Sequence, residues 1–81
     1  MAFLVKRTLD TRGLPVPLPV VKTERAMAEL GPNEVLAVLA SGPSASSELL
    51  AWVQRSGHEL LQQGSIGRLH QFYIRKTDRP N

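Results

Sequence analysis

The chain has 81 residues, 42% of them hydrophobic, with ten Lys and Arg against seven Asp and Glu and no cysteine. The absence of cysteine excludes disulfide bonds, thiolate metal sites and thiol chemistry of any kind. We predict one small domain over residues 1–81, with an ordered core of about 3–76 and a polar tail over 77–81. The net charge of +3 is compatible with an acidic or nucleic-acid partner and demonstrates neither.

Hydropathy predicts a protein outside the membrane. The longest apolar run, Val35–Ala40, is far too short to span a bilayer. The apolar residues at the N-terminus precede Lys6 and Arg7, whereas a secretory signal carries its charges first. We therefore expect a cytoplasmic location.

The first half of the chain predicts a strand and a helix. Phe3–Asp10 is rich in apolar and β-branched residues, which favours a strand. Pro17 and Pro19 stand where a helix would begin, a position that tolerates proline. Gly31-Pro32 is expected to end this helix, with the glycine as a left-handed cap. The residues at helical spacing on its inner face are Val20, Thr23, Ala26, Met27 and Leu30.

The second half predicts a strand, a helix and a hairpin. Val35–Ala40 has the uninterrupted apolar pattern of a central strand. A second helix is expected to begin near Ser44 and to stop at Gly57. Two strands, His58–Gln63 and Leu69–Lys76, should then be joined by a loop over 64–68. In the last strand, the alternation of strand side chains places Phe72 and Ile74 on one face and Tyr73 and Arg75 on the other.

These elements predict an α+β fold of order β-α-β-α-β-β. Each helix carries one apolar stripe, so both are expected on one face of a four-stranded mixed sheet, which gives a two-layer sandwich. The first two strands should be parallel. The predicted core consists of Val20, Met27, Leu30, Val38, Leu49, Trp52 and Phe72.

One stretch carries a family signature. Residues 10–19 read Asp-Thr-Arg-Gly-Leu-Pro-Val-Pro-Leu-Pro, which resembles the Asp-x-x-Gly-Leu-x-Cys-Pro-x-Pro motif of the TusA/SirA-like sulfur carriers. The segment Gly57-His58-Glu59-Leu60-Leu61 is similar to a second family segment, and the resemblance extends from Leu9 to Lys76. Val16 stands where the family has its cysteine. The residues that this resemblance places at a motif or partner-binding site are Arg12, Gly13, Leu14, Val16, Pro17 and Pro19.

The resemblance implies a role in sulfur relay, but this chain lacks the cysteine thiol to which the family attaches the transferred sulfur. In the family, the cysteine accepts a persulfide from a cysteine desulfurase and passes it to a downstream acceptor, in tRNA thiolation, sulfur oxidation or molybdenum-cofactor maturation. Val16 cannot carry a persulfide, so no catalytic residue and no cofactor is expected, and a non-enzymatic role is favoured. We interpret the chain as a protein-binding or regulatory member of a sulfur-transfer pathway. The alternative is a Cys-to-Val inactivated form of an active carrier.

Other positions near the motif also depart from the family. Gly42 replaces the aspartate that usually precedes Pro43, and Ser47, Glu48 and Leu50 stand where the family tends to have an Arg-Asp pair and a proline. A laboratory exchange of the cysteine would explain only the change at position 16. The joint changes favour natural divergence.

The two histidines and the basic residues near the chain ends are further candidates for binding roles. His58 and His70 lie twelve residues apart without a carboxylate cluster at ligand spacing, so no metal site is predicted. His58 follows a helix end, where a partly charged imidazole is electrostatically favourable. If the first and last strands lie together, a basic patch for an acidic protein or tRNA would form, although charged edge strands explain the same residues. Its members are Lys6, Arg7, Arg12, Arg75, Lys76 and Arg79.

Overall fold

The computed structural model describes residues 3–77 and has the predicted element order. None of its helices is long and apolar enough to cross a membrane within those residues. The predicted α+β fold is confirmed, with a four-stranded sheet of order β1-β2-β4-β3 and both helices on one face. The elements are β1 (Arg7–Asp10), α1 (Leu18–Glu29), β2 (Val35–Ser41), α2 (Pro43–Ser56), β3 (Glu59–Ile66) and β4 (Leu69–Arg75).

The sheet is mixed, because β1 runs parallel to β2 while β4 is antiparallel to both of its neighbours. Alternation along β2 and β4 sends every second side chain toward the helices. Val38 and Phe72 are directly opposed in the register and both are fully buried in the main core. The predicted core residues are buried except Val20, which is only partly buried against that cluster. Val20 lies at the edge of an open groove between the helices.

The opposite face of the sheet has a smaller apolar cluster. Val35, Ala37 and Tyr73 are buried there, and Phe3 and Val5 pack against them. The rings of Phe3 and Tyr73 have centroids 5.3 Å apart at an interplanar angle of 58°. The prediction that β1 begins at Phe3 is therefore wrong, since β1 begins at Arg7 and the residues before it cover the far face instead. Packing of the Phe3 ring against the far face of the sheet is therefore preferred to an edge strand that would begin at Phe3.

The end of α1 also differs from its prediction. Leu30 is extended, and Gly31 is not among the residues with positive φ, so it forms no left-handed cap. Lys76 caps this end instead, because its Nζ donates to the Leu30 carbonyl at 2.6 Å. A cation is favourable at a helix C-terminus. The prediction for α2 is confirmed, since Gly57 adopts the left-handed conformation with φ of 83°.

The hairpin is tighter than expected. Gly64–Ile66 belong to β3, and the turn consists of Gly67 and Arg68 alone. Gly67 has φ of 60° and Arg68 does not share the positive φ, which is the pattern of a type II′ turn. The register shifts between Leu60 and Gln62, so Leu61 forms a bulge. β3 therefore forms one edge of the sheet and continues as far as the turn.

Candidate functional site

The motif begins with a turn held by Asp10 and Arg12. The Asp10 carboxylate accepts bonds from the Arg12 backbone N at 3.0 Å, from Nε at 2.9 Å and from Nη2 at 2.7 Å. The side-chain bond from Arg12 is the main cause that lowers the pKa of Asp10 to about 2, and the same pair raises the pKa of Arg12. Arg12 thus stays a surface cation, and its charge is largely matched within the turn itself.

Two further contacts fix the motif turn to the end of β2. Thr11 is 1% exposed, and its hydroxyl donates to the Leu39 carbonyl at 2.6 Å. The Gly13 amide donates to the Ser41 hydroxyl at 2.8 Å. Gly13 has φ of 81°, and a Cβ there would meet no atom within 4 Å, so the glycine is needed for its conformation rather than for space.

Val16 lies on the surface just before α1. It is 43% exposed, and the cis Val16–Pro17 peptide bond precedes the first helical residue, Leu18. No acidic residue occupies the first turn of this helix, so nothing in that turn offsets its partial positive charge. Pro19 is buried and anchors the first turn to the domain. The side chain at position 16 is therefore accessible on the protein surface, and it is a branched aliphatic group.

A shallow cleft of about 280 Å³ lies beside Val16. Leu14 and Pro15 form one wall together with Val16, the start of α2 forms another, and Arg68 from the hairpin turn completes it. No acidic residue lines this cleft, and Arg68 forms no ion pair within residues 3–77. Arg68 is not recognisable as a site residue from the sequence, because only the pairing of β3 with β4 brings the hairpin turn to this end of the sheet.

Gly42 explains one departure from the family motif. Its φ of 89° and ψ of 155° belong to a region that only glycine adopts readily. A Cβ at this position would also lie 3.1 Å from Nη2 of Arg68. An aspartate at this position would therefore be strained in this backbone conformation, and the Arg68 side chain would have to move slightly. The other departures, Ser47, Glu48 and Leu50, do not line the cleft.

The predicted basic patch is wrong. β2 separates β1 from β4, and most of the cations have local partners. Arg7 Nη1 lies 2.7 Å from Glu29 Oε1, and Lys6 Nζ lies 3.7 Å from Glu34 Oε2. Arg75 pairs with Glu59, and Lys76 caps α1. Arg79 lies outside the described residues.

A second opening of about 680 Å³ lies between α1 and α2, with Met27, Trp52, His58 and Lys76 on its walls. The favourable setting expected for a partly charged imidazole at the end of α2 is not found at His58. Burial chiefly, and Lys76 in addition, lower the pKa of His58, and its Nδ1 accepts a bond from the Thr77 amide at 3.3 Å. Within residues 3–77 no group of three His, Cys, Asp or Glu side chains is placed to hold a metal ion. In this opening the His58 imidazole lies beside the Trp52 ring, at a centroid distance of 5.9 Å.

Several known proteins are similar to this chain in sequence or in fold. The sequence profile of the family described as Sulfurtransferase TusA matches residues 7–76. YrkI of Bacillus subtilis, named as a candidate sulfur carrier, is 40% identical over 70 residues, which cover 86% of this chain and 93% of YrkI. The sulfur carrier protein TusA of Allochromatium vinosum is 29% identical over 69 residues, covering 85% and 91% of the two chains.

A solved structure supports the fold independently. The crystal structure of a SirA-like protein from Desulfitobacterium hafniense superimposes with a TM-score of 0.77, covering 88% of this chain and 97% of that one. At 23% identity, this likeness concerns the fold alone.

Proposed function

Because this chain belongs to the TusA sulfurtransferase family and contains no cysteine, we propose that it is a non-catalytic, protein-binding member of a sulfur-relay pathway. Its partner in this proposal is a cysteine desulfurase or a downstream sulfur acceptor. The observation that carries the proposal is the exposed Val16 at the presented end of α1, in a turn that is otherwise tied to the sheet.

The chemistry of sulfur relay explains why the role cannot be that of a carrier. A carrier thiolate attacks the terminal sulfur of a donor persulfide, forms a new S–S bond and releases the donor as a thiolate. Val16 offers only C–C and C–H bonds, and no residue of the chain supplies a thiol. The chain therefore has no atom on which a transferable persulfide can form.

The contact surface that remains is the motif surface, which we define as Gly13–Pro19 together with Arg68. It combines exposed apolar side chains, Val16 among them, with one cation that has no carboxylate partner within residues 3–77. Its backbone is held by the Asp10–Arg12 turn and by the contacts of Thr11 and Gly13. A rigid surface loses little conformational entropy when it binds, which favours a docking role.

Such a domain acts by occupying a partner surface that a cysteine-bearing carrier also uses. It regulates sulfur flow by competition or holds relay proteins together, and we place this activity in the cytoplasm. Contact with tRNA is not included, because the cations of the expected patch are paired and dispersed.

The test uses the desulfurase of the source organism, cysteine labelled at sulfur, and this protein. After incubation, mass spectrometry and label counting should show no reducible sulfur on the protein, while the two proteins should still associate in a binding assay. Val16→Asp should weaken that association, and Leu4→Asp should not, since Leu4 is another exposed apolar residue, at 91%, outside the motif surface. Reducible label on the protein, or equal binding by both variants and the parent, would overturn the proposal.

A further inference from the structure

The motif surface carries a single charge. Residues 13–19 contain no charged side chain, so Arg68 is the only charged member of this surface. The neighbouring motif cation, Arg12, is matched by the Asp10 carboxylate within its own turn. No ion pair among residues 3–77 includes Arg68, and no acidic residue lines the cleft that it closes. One cation of this surface therefore lacks an anion within the described part of the chain.

The hairpin turn, and not an ion pair, holds Arg68 at the cleft. The Gly42 amide donates to the Arg68 carbonyl at 2.9 Å, which ties the backbone of the turn to the start of α2. Nη2 of Arg68 lies 3.1 Å from the point that a Cβ on Gly42 would occupy. The glycine therefore leaves room for the guanidinium, and it contributes no carboxylate that would pair with it.

The walls of the cleft beside this cation are mostly aliphatic. Leu14, Pro15 and Val16 form one wall, and Pro43 and Ala45 belong to the start of α2 on the other. An aliphatic group seated between these walls would lose contact with water, which favours its binding. An anion beside that group would meet the guanidinium of the turn.

We infer that Arg68 selects the partner, because the motif surface fits a protein segment in which an Asp or Glu carboxylate lies beside an aliphatic side chain. The aliphatic group packs on Val16, and the carboxylate accepts two parallel hydrogen bonds from the Arg68 guanidinium. Such selection rests on the proposed function, since it acts at the same docking surface. It specifies which feature a relay partner must carry there.

A protein carboxylate fits this surface better than a phosphate backbone does. Nucleic acids bind through several cations, and single strands also stack their bases on aromatic side chains. The motif surface has one cation and no aromatic residue, and no aromatic residue lines the cleft. Aliphatic walls beside a single guanidinium match an acidic residue that has an apolar neighbour.

The test measures binding of the full chain to the desulfurase of the source organism by isothermal titration calorimetry. Arg68→Gln removes the charge and should raise the dissociation constant at least about tenfold. Ser44→Asp places a carboxylate in the cleft that competes for Arg68, and it should weaken binding by a similar factor. An acidic residue in the first turn of α2 favours the helix, so this loss would not reflect unfolding.

Two variants outside the cleft are matched controls. Arg25→Gln removes an exposed cation of α1, and Gln54→Glu adds a negative charge to an exposed position of α2. Neither residue lines the cleft, so both variants should bind as the parent does. Circular dichroism checks that every variant is folded.

Cross-linking identifies the partner group directly. Arg68→Lys places a primary amine at the cleft, and a carbodiimide joins this amine to a contacting carboxylate as an amide while the reagent becomes a urea. Mass spectrometry should find residue 68 joined to an Asp or Glu of the desulfurase.

The outcomes separate this selection from the proposed function. If the parent does not bind the desulfurase, the proposed function is wrong and the selection with it. If the parent binds, but Arg68→Gln and Ser44→Asp bind equally well, or no cross-link forms at position 68, only the selection by Arg68 is overturned. Equal losses in Arg25→Gln or Gln54→Glu would overturn it as well, because they would show a dependence on net charge alone.

Discussion

The guanidinium of Arg68 lies over Gly42, with its Nη2 3.1 Å from the point that a Cβ on this glycine would occupy. Gly42 is the N-cap of α2 and Arg68 ends the hairpin turn, and the Gly42 amide donates to the Arg68 carbonyl at 2.9 Å. This contact closes the cleft beside Val16 and ties the turn to the helix. The backbone conformation of Gly42 and the position of the Arg68 guanidinium therefore depend on each other.

Gly42→Ala should lower the free energy of unfolding by ~1–3 kcal/mol, because alanine does not adopt this φ and ψ without strain. Urea unfolding at micromolar concentration measures the change. Gly64→Ala is the control, since Gly64 lies in a strand with open space and no positive φ. If the two substitutions have equal effects, the conformational requirement at Gly42 is wrong.

Two buried threonines should respond oppositely to the same substitution. The Thr23 hydroxyl is fully buried and has no hydrogen-bond partner among residues 3–77, so Thr23→Val should raise the free energy of unfolding, by up to ~1–3 kcal/mol. Thr11→Val removes the bond to Leu39 and should lower it by ~0.5–1.5 kcal/mol. Chemical denaturation of both variants checks the signs. Loss of stability in Thr23→Val would show that its hydroxyl has a partner.

The stability of the fold should depend on pH through His58. Its pKa in the folded protein lies below the ordinary value of 6.5, so the unfolded chain binds the proton more tightly. The His58 contribution is thus complete above pH 6.5 and is lost as the pH falls toward the lowered pKa. His58→Gln should flatten the difference between pH 8 and pH 5, measured by urea unfolding. Trp52 fluorescence should follow the same titration, because the two rings are neighbours. Parallel pH profiles for parent and variant would contradict this.

Val16→Cys should create a reactive thiol. A helix N-terminus without acidic residues stabilises the thiolate, so the thiol pKa should fall below the ~8.5 of a free cysteine. The rate of alkylation by iodoacetamide as a function of pH measures it, with Leu4→Cys as an exposed control outside the motif surface. If both thiols titrate at the same pH, the start of α1 does not lower the pKa of a thiol at position 16, and this prediction is wrong.

The periodic patterns in the sequence were enough to predict the element order, the parallel first pair and most of the core. The core prediction succeeded because residues such as Met27 and Phe72 follow the helical and strand periods without interruption. The strand start at Phe3 and the cap at Gly31 were wrong, because long-range contacts with Tyr73 and Lys76 decide both. Local sequence contains no signal for such contacts.

The motif turn was located from sequence, whereas the cleft beside it was not. Val16 was recognised through its place in the motif, but Arg68 reaches the cleft only through the hairpin register. The pairing of Asp10 with Arg12 likewise changes how the motif cation is interpreted, since its charge is satisfied within the turn. The roles assigned to Arg12, Leu14 and Pro17 stay predictions.

We expect the motif surface to dock on sulfur-relay proteins. The most direct measurement titrates this chain into sulfur transfer from the desulfurase to a cysteine-bearing TusA of the same organism. The parent should inhibit transfer in a saturable way. Val16→Asp should need at least about tenfold more protein for half-inhibition, because a carboxylate enters an apolar contact. Leu4→Asp should match the parent. Absence of inhibition, or equal inhibition by Val16→Asp, would contradict the account.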